Sequence, residues 1–181
     1  MASALPRPLL AFVLGRPAMP TFEMTVTLAA PVERVFALFL RPAVYLALLP
    51  PELHMVLVSG PEELQLRAIT EVRGRRWGIS QLMRTEVTEL EPNVRLVQEQ
   101  RRGPFTRWTH TQQFEALADG GTRLTDRFEY EPPGGILGLT LTARRIEQDL
   151  VWSLEHRQRR LIEVLANGID ESRLAPPGRL E

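Results

Sequence analysis

Alternating apolar and polar residues predict one strand near the start of the chain and six more in its middle. In the first, Phe22–Leu28, apolar residues occupy every second position. Turn residues separate the other six, which cover residues 53–59, 63–72, 77–90, 94–101, 105–117 and 122–131. Because consecutive strands joined by short turns pair antiparallel, we expect a seven-stranded antiparallel sheet.

Helical spacing replaces this alternation after the first strand and near the C-terminus. Pro31 suits the first position of a helix, and a second short helix follows Pro42 and stops at Pro50 and Pro51. A long helix is predicted over residues 136–166, with Gly168 as its stop signal. Its apolar face carries Ala143, Ile146, Leu150, Leu154, Leu161 and Leu165. The sequence therefore predicts an α+β fold in which the sheet curves around this helix.

The last two strands form a hairpin whose register follows from its turn. A loop of Ala118, Asp119 and Gly120, with the glycine at positive φ, places Leu117 opposite Gly121. Gln112 then faces Asp126, His110 faces Phe128, and Trp108 faces Tyr130. In this register His110 lies diagonal to Asp126, within reach of a side-chain contact.

Polar residues occupy the inner face of this hairpin, where apolar ones are expected. His110, Gln112 and Asp126 share that face with Trp108, Phe128 and Tyr130, and the preceding strand adds Gln98 and Gln100. A buried polar group without a partner costs about 1–3 kcal/mol. These groups must therefore be satisfied by one another, by trapped water or by a ligand, which favours a cavity with a polar end over a dry core.

The expected cavity lies between the sheet and the long helix. The residues predicted to line its apolar part are Leu64, Leu66, Ile79, Met83, Trp108, Phe128 and Tyr130. Arg157 falls in the middle of the helix's apolar face, where it either extends to the rim or pairs with Asp126 or a ligand anion. Trp152 falls on the opposite face, against the N-terminal segment or a second subunit.

The amino-acid composition argues against several classes of binding partner. Basic and acidic residues balance at 22 each, so we expect no nucleic-acid partner, and the RGRR stretch and Arg101–Arg102 are predicted to be solvated turn clusters. There is no cysteine, and the three histidines lack ligand spacing, so we expect no metal and no cofactor. No segment is long and apolar enough to span a bilayer, and we expect a cytoplasmic protein.

Three regions are expected along the chain. Residues 1–20 form a loose N-terminal leader, residues 21–167 a single folded domain, and residues 168–181 a disordered tail.

The element order and two motifs resemble a known family. The helix APVERVFALFL after the first strand, and GPFTRWTHTQQFE followed by GTRLTDRFEYEPP, resemble the SRPBCC superfamily with its START-like helix-grip fold, and within it the bacterial cyclase/dehydrase-like ligand-binding branch. Two positions depart from that branch: Gln98 stands where an acidic residue is implied, and Gln112 where a second histidine is implied. The resemblance therefore does not carry over roles that need an acid–His pair at Gln98 or a His–His pair at Gln112.

Three functions follow from these observations. The first is a carrier or sensor that binds a small hydrophobic molecule with a polar group; its site comprises Met83, Gln98, Gln100, Trp108, His110, Gln112, Asp126, Phe128, Tyr130 and Arg157. The second is a cyclase or dehydratase in which His110 acts as the general base, oriented by Asp126. The third is an interaction domain that forms a homodimer through Trp152 and the long helix.

Overall fold

Seven strands form one antiparallel sheet in the part of the chain that the computed structural model describes, residues 19–76, 79–133 and 142–168. The strands are β1 (Thr21–Leu28), β2 (Val56–Ser59), β3 (Ile69–Arg76), β4 (Ile79–Glu91), β5 (Arg95–Arg102), β6 (Arg107–Ala116) and β7 (Thr122–Glu131). Their order across the sheet is β1-β7-β6-β5-β4-β3-β2. Each of the strands β2 to β7 thus lies beside its neighbour in sequence, and β1 pairs with β7 at one edge of the sheet.

Three α-helices accompany the curved sheet in the described residues. Helices α1 (Val32–Leu40) and α2 (Pro42–Ala47) follow β1, and a short 3-10 turn covers Pro51–Leu53. Helix α3 (Ala143–Asn167) begins after Thr142, whose hydroxyl accepts a hydrogen bond from the backbone N–H of Arg145 at 3.3 Å. This architecture confirms the predicted α+β helix-grip fold.

The β6–β7 hairpin has the predicted register. Trp108 pairs with Tyr130, His110 with Phe128, and Gln112 with Asp126. Gly120 adopts φ +82°, a conformation that favours glycine, and the N–H of Leu117 donates to the carbonyl of Gly121 at 2.9 Å. The inner face of the hairpin is therefore the one that carries the polar residues.

The prediction for residues 63–72 is wrong in its first half. Strand β3 starts at Ile69, and the preceding residues are held by contacts outside the sheet: the N–H of Leu64 donates to the carbonyl of Leu40 at 2.6 Å. Leu64 is buried, whereas Leu66 is 57% exposed and does not line an interior space. Residues 63–68 alternate like a strand but form a connecting segment that packs on the end of α1.

The RGRR stretch is not a turn, and Arg101–Arg102 is not one either. Gly74 and Arg76 continue β3, while Arg101 and Arg102 end β5. At Gly74 the sheet passes so close to Met55 that an added Cβ would lie 2.2 Å from its sulphur. The glycine thus permits a close approach within the strand and does not end it.

Several predicted features lie outside the described residues. They are the leader apart from Met19 and Pro20, the turn at Trp77–Gly78, the side chain of Ile79, the first residues of the predicted long helix and the tail beyond Gly168.

The buried apolar residues form two clusters. One joins α1 to Phe114 and Leu124 of the sheet and to Leu161 near the end of α3. The other joins the aromatic residues of β6 and β7 to α3, through Phe105, Trp108, Phe128, Tyr130, Ile146, Leu150 and Leu154. On β6, β7 and α3 alike, the polar residues fall between the two clusters, so a polar layer crosses the interior.

Candidate functional site: a polar layer beside an internal cavity

A buried ion pair joins α3 to the sheet at the centre of this layer. Arg157 is 0% exposed and Asp126 is 1% exposed. Nη1 of Arg157 donates to Oδ1 of Asp126 at 2.9 Å, and Nη2 donates to Oδ2, so the contact is bidentate. The arginine therefore turns inward and pairs with Asp126, which was one of the two alternatives left open by the sequence.

Aromatic rings flank the guanidinium of Arg157. Its Cζ lies 5.2 Å from the ring centroid of Phe39 and 5.8 Å from that of Tyr45. Contacts of this kind stabilise a desolvated cation. Because α1 and α2 supply the two rings, both short helices help to hold the guanidinium in place.

His110 and Gln112 complete the layer. Nε2 of His110 lies 2.8 Å from Oδ1 of Asp126, and Nε2 of Gln112 donates to the same oxygen at 3.4 Å. The imidazole stacks on Phe128, with ring centroids 4.0 Å apart. Asp126 thus accepts hydrogen bonds from three side chains, on β6 and α3.

The charges of this layer are set by its burial and by the ion pair. Burial alone would raise the pKa of the Asp126 carboxyl, but the charge of Arg157 and the hydrogen bonds from His110 and Arg157 hold it well below its usual range. Burial lowers the pKa of His110, and the opposing influence of Asp126 does not restore it. At neutral pH the layer therefore holds an ionised pair and a neutral imidazole that donates from Nε2.

A cavity of about 130 Å³ adjoins the polar layer. Its apolar wall comes from the α2 region, the sheet and α3, through Leu46, Leu49, Met55, Met83, Leu150 and Leu154. Gln98, His110 and Gln112 supply polar groups on the sheet side, and Trp108 and Phe128 supply aromatic rings. For comparison, an engineered cavity of about 150 Å³ in another protein binds benzene.

A second arginine reaches the cavity from the end of β3. Nε of Arg76 donates to Oδ2 of Asp149 at 3.1 Å, and Nη2 donates to Oγ of Ser153 at 3.2 Å. Both partners lie on α3. Burial lowers the pKa of Arg76 even though the charge of Asp149 acts to raise it. Arg76 therefore places a cationic group in the cavity wall.

The structure brings together most of the site residues expected from the sequence. Met83, Gln98, Trp108, His110, Gln112 and Phe128 line the cavity, as does Leu64, and Asp126 and Arg157 lie behind the polar wall. Two residues lie elsewhere. Gln100 donates to the carbonyl of Phe105 at 2.7 Å and supports the β5–β6 loop. Tyr130 is fully buried against Phe105 and Trp108.

Arg76 and Tyr45 are among the residues that sequence reasoning missed. Thr70, Val72, Gly74 and Arg76 alternate along the inner face of β3, and this period could have placed Arg76 inside. Tyr45 carried no comparable signal, because a tyrosine on a six-residue helix fits many environments.

The described residues contain neither a candidate metal site nor a membrane-spanning helix. Within them, no group of three or more His, Asp or Glu side chains is arranged to hold a metal ion. None of the helices in residues 19–76, 79–133 and 142–168 is long and apolar enough to cross a membrane.

Solved structures share this fold at low sequence identity. Protein TTHA0849 from Thermus thermophilus is 25% identical with a TM-score of 0.60, over 83% of this chain and 100% of that one. The START superfamily protein of Mycobacterium smegmatis is 16% identical with a TM-score of 0.60, over 81% and 97%. The ZhuI aromatase/cyclase of a Streptomyces species is 17% identical with a TM-score of 0.60, over 81% and 91%.

These likenesses and the element order define a helix-grip fold. The model of one family, described as polyketide cyclase/dehydrase and lipid transport, matches residues 19–161. The chain belongs to that family. No curated protein matches the sequence significantly.

Removing the carboxylate charge should destabilise the protein strongly. In Asp126→Asn, Arg157 keeps its charge in a fully buried position without its counter-ion, so we expect the free energy of unfolding to fall by about 3–5 kcal/mol. Urea denaturation measures this. The matched control is Glu129→Gln, which removes an acid on the outer face of the same strand and should cost less than about 1 kcal/mol.

A double variant separates the ion pair from general packing. Replacing both charges, in Asp126→Asn with Arg157→Met, should recover part of the loss, because no unpaired charge then remains in the interior. Equal stability of Asp126→Asn and the Glu129→Gln control would contradict the assigned role of the pair.

The free energy of unfolding should decrease as the pH falls below about 6.5. The pKa values of His110 and Asp126 are both lowered by folding, so the unfolded chain binds more protons than the folded protein. Their contribution is complete above the usual pKa of histidine, about 6.5, and is lost progressively below it. Urea titrations between about pH 7.5 and pH 4 measure this dependence.

The control for this pH dependence is a histidine outside the layer. His110→Asn should flatten the upper part of the decrease, between about pH 6.5 and pH 5. His54→Asn changes an exposed residue at positive φ, which asparagine tolerates, and should leave the curve unchanged. A wild-type free energy of unfolding that stays constant or increases as the pH falls from about 6.5 to 5 would refute the assignment of a neutral, buried His110.

Proposed function

We propose that this protein binds a small, mainly hydrophobic molecule with one polar group in the cavity between the sheet and α3, as a carrier or sensor. The supporting observation is the composition of the cavity wall, where neutral hydrogen-bonding side chains adjoin an apolar and aromatic surface. Few convergent polar groups in an apolar pocket are typical of small-molecule sites. The family description, which includes lipid transport, agrees with this class of ligand.

The polar layer suits recognition because its charges are already satisfied. Asp126 is neutralised by Arg157 and lies behind the wall, so a guest does not have to desolvate a bare carboxylate. His110 and Gln112 are held in place by the same carboxylate. With its Nε2 proton directed to Asp126, neutral His110 retains an acceptor at Nδ1. Such fixed groups lower the entropic cost of binding a matching polar group.

Filling the cavity should abolish binding. Met83→Trp introduces a larger side chain into the wall, and we expect the affinity for octan-1-ol, as a probe with one polar group and an apolar chain, to fall at least about tenfold. Isothermal titration calorimetry at a range of protein concentrations measures the affinity.

Leu82→Trp is the matched control for this substitution. Leu82 is the adjacent residue of β4 and pairs with exposed Arg73, so it lies on the opposite face of the sheet. This variant should bind like the wild type. Unchanged binding in a folded Met83→Trp protein, or an equal loss in both variants, would argue against an internal site.

A cyclase or dehydratase activity is the second candidate, and the contact between His110 and Asp126 favours it. A carboxylate 2.8 Å from one imidazole nitrogen orients the ring and leaves the other nitrogen as a base. In a poly-β-keto substrate, Nδ1 would remove a proton from a methylene between two carbonyls, and the resulting carbon nucleophile would attack a further carbonyl to close a ring. The alkoxide formed there would take the proton back from Nδ1, and the hydroxyl would then leave as water together with a hydrogen from the neighbouring ring carbon.

Replacement of His110 distinguishes catalysis from binding. If the protein is a cyclase, His110→Ala should abolish ring formation from a linear poly-β-keto thioester, followed by absorbance, whereas loss of a binding contact alone should raise KM with little change in kcat. Wild-type turnover that survives in His110→Ala would exclude His110 as the base, and Asp126→Asn tests its orienting partner in the same assay.

A further inference from the structure

The buried Arg157 and the partly exposed Arg76 differ in how their charges are compensated. Arg157 donates to both oxygens of Asp126. Burial would lower the pKa of Arg157, but the negative charge of Asp126 raises it above its usual value. Arg76 meets Asp149 through Nε, and here burial outweighs the partner, so its pKa is lowered. The surroundings of Arg76 thus favour its positive charge less than those of Arg157 do.

The wall of the cavity contains a cation but no acid. Among the described residues that line it, Arg76 is the one with a permanent charge, and none is an aspartate or a glutamate. Asp149 and Asp126, the nearest partners of the two arginines, do not line the cavity. A molecule inside therefore contacts the guanidinium of Arg76 but neither of these carboxylates, and charge interactions in an environment of low polarity are stronger than in water.

We propose that the molecule bound in this cavity is an organic anion, an amphipathic acid whose ionised oxygen is recognised by Arg76. The inference rests on the proposed binding function and names the chemical class of its ligand. The apolar body of the acid contacts the leucine and methionine wall, and its carboxylate or equivalent acidic oxygen lies at the end of β3.

The geometry of Arg76 suits this role. Asp149 and Ser153 hold the guanidinium at two of its nitrogen atoms, so its orientation is fixed before a ligand enters. The planar fork of a guanidinium matches the geometry of a carboxylate. A hydrogen bond to a charged group contributes about 1.5–3 kcal/mol, which corresponds to roughly tenfold or more in affinity.

The test compares two probes that differ in charge and share their chain length, octanoate and octan-1-ol, at about pH 7.5. We expect the wild-type protein to bind octanoate about tenfold more tightly by titration calorimetry. Arg76→Gln should remove this preference, so that the ratio of the two affinities falls to about one. Arg76→Lys, which keeps the charge without the fork, should retain part of the preference.

Arg75→Gln is the matched control for Arg76→Gln. Arg75 precedes Arg76 on β3, is exposed and faces the opposite side of the sheet, so the change in net charge is the same. It should leave the preference for octanoate intact, and equal losses in both variants would overturn the role of Arg76.

The affinities of the wild-type protein for octanoate and octan-1-ol test the inference even if the variants do not fold. Tight binding of octan-1-ol with equal or weaker binding of octanoate would overturn the anion inference and leave the proposed binding function standing. Failure of both probes to bind would count against the proposed function itself, and the inference would fall with it.

Discussion

The ion pair between Arg157 and Asp126 is the interaction on which the interior depends. It joins α3 to β7 at the boundary between two apolar clusters, and the same carboxylate orients His110 and Gln112. Buried ion pairs are costly to desolvate, and apolar replacements of similar volume are often as stable. Stability alone therefore does not explain why a charged pair occupies this position. We propose that the pair serves the site, because it fixes His110 and Gln112 at the cavity wall while both of its own charges lie outside the cavity lining.

The parts of this arrangement that sequence could predict are those governed by local geometry. Strand alternation and the glycine of the β6–β7 turn determine the register, and with it the shared face of His110, Gln112 and Asp126. Helical spacing likewise placed Arg157 on the buried side of α3. Whether that arginine extended outward or paired inward depended on the rotation of the helix over the sheet, and no local pattern contains that information.

The wrong predictions also arose from contacts between elements that are distant in sequence. Residues 63–68 alternate like a strand, yet the contact between Leu64 and Leu40 connects them to α1. The RGRR stretch has the composition of a solvated turn, but the approach of Met55 to Gly74 and the contacts of Arg76 with α3 keep it in β3. Gln100, assigned to the site from alternation on β5, instead supports a loop five residues away. Each outcome depends on contacts between elements distant in sequence, which decide between alternatives that are equally compatible with the local chain.

The central claim is that the cavity beside the polar layer holds a small organic guest. Native mass spectrometry of the protein purified from cells under mild conditions tests it most directly. The account predicts a one-to-one adduct of a small molecule that dissociates on denaturation, is recovered with Leu82→Trp and is absent from Met83→Trp. A mass of the unliganded chain alone, together with no shift in melting temperature across a panel of lipids, fatty acids and aromatic polyketides, would contradict it.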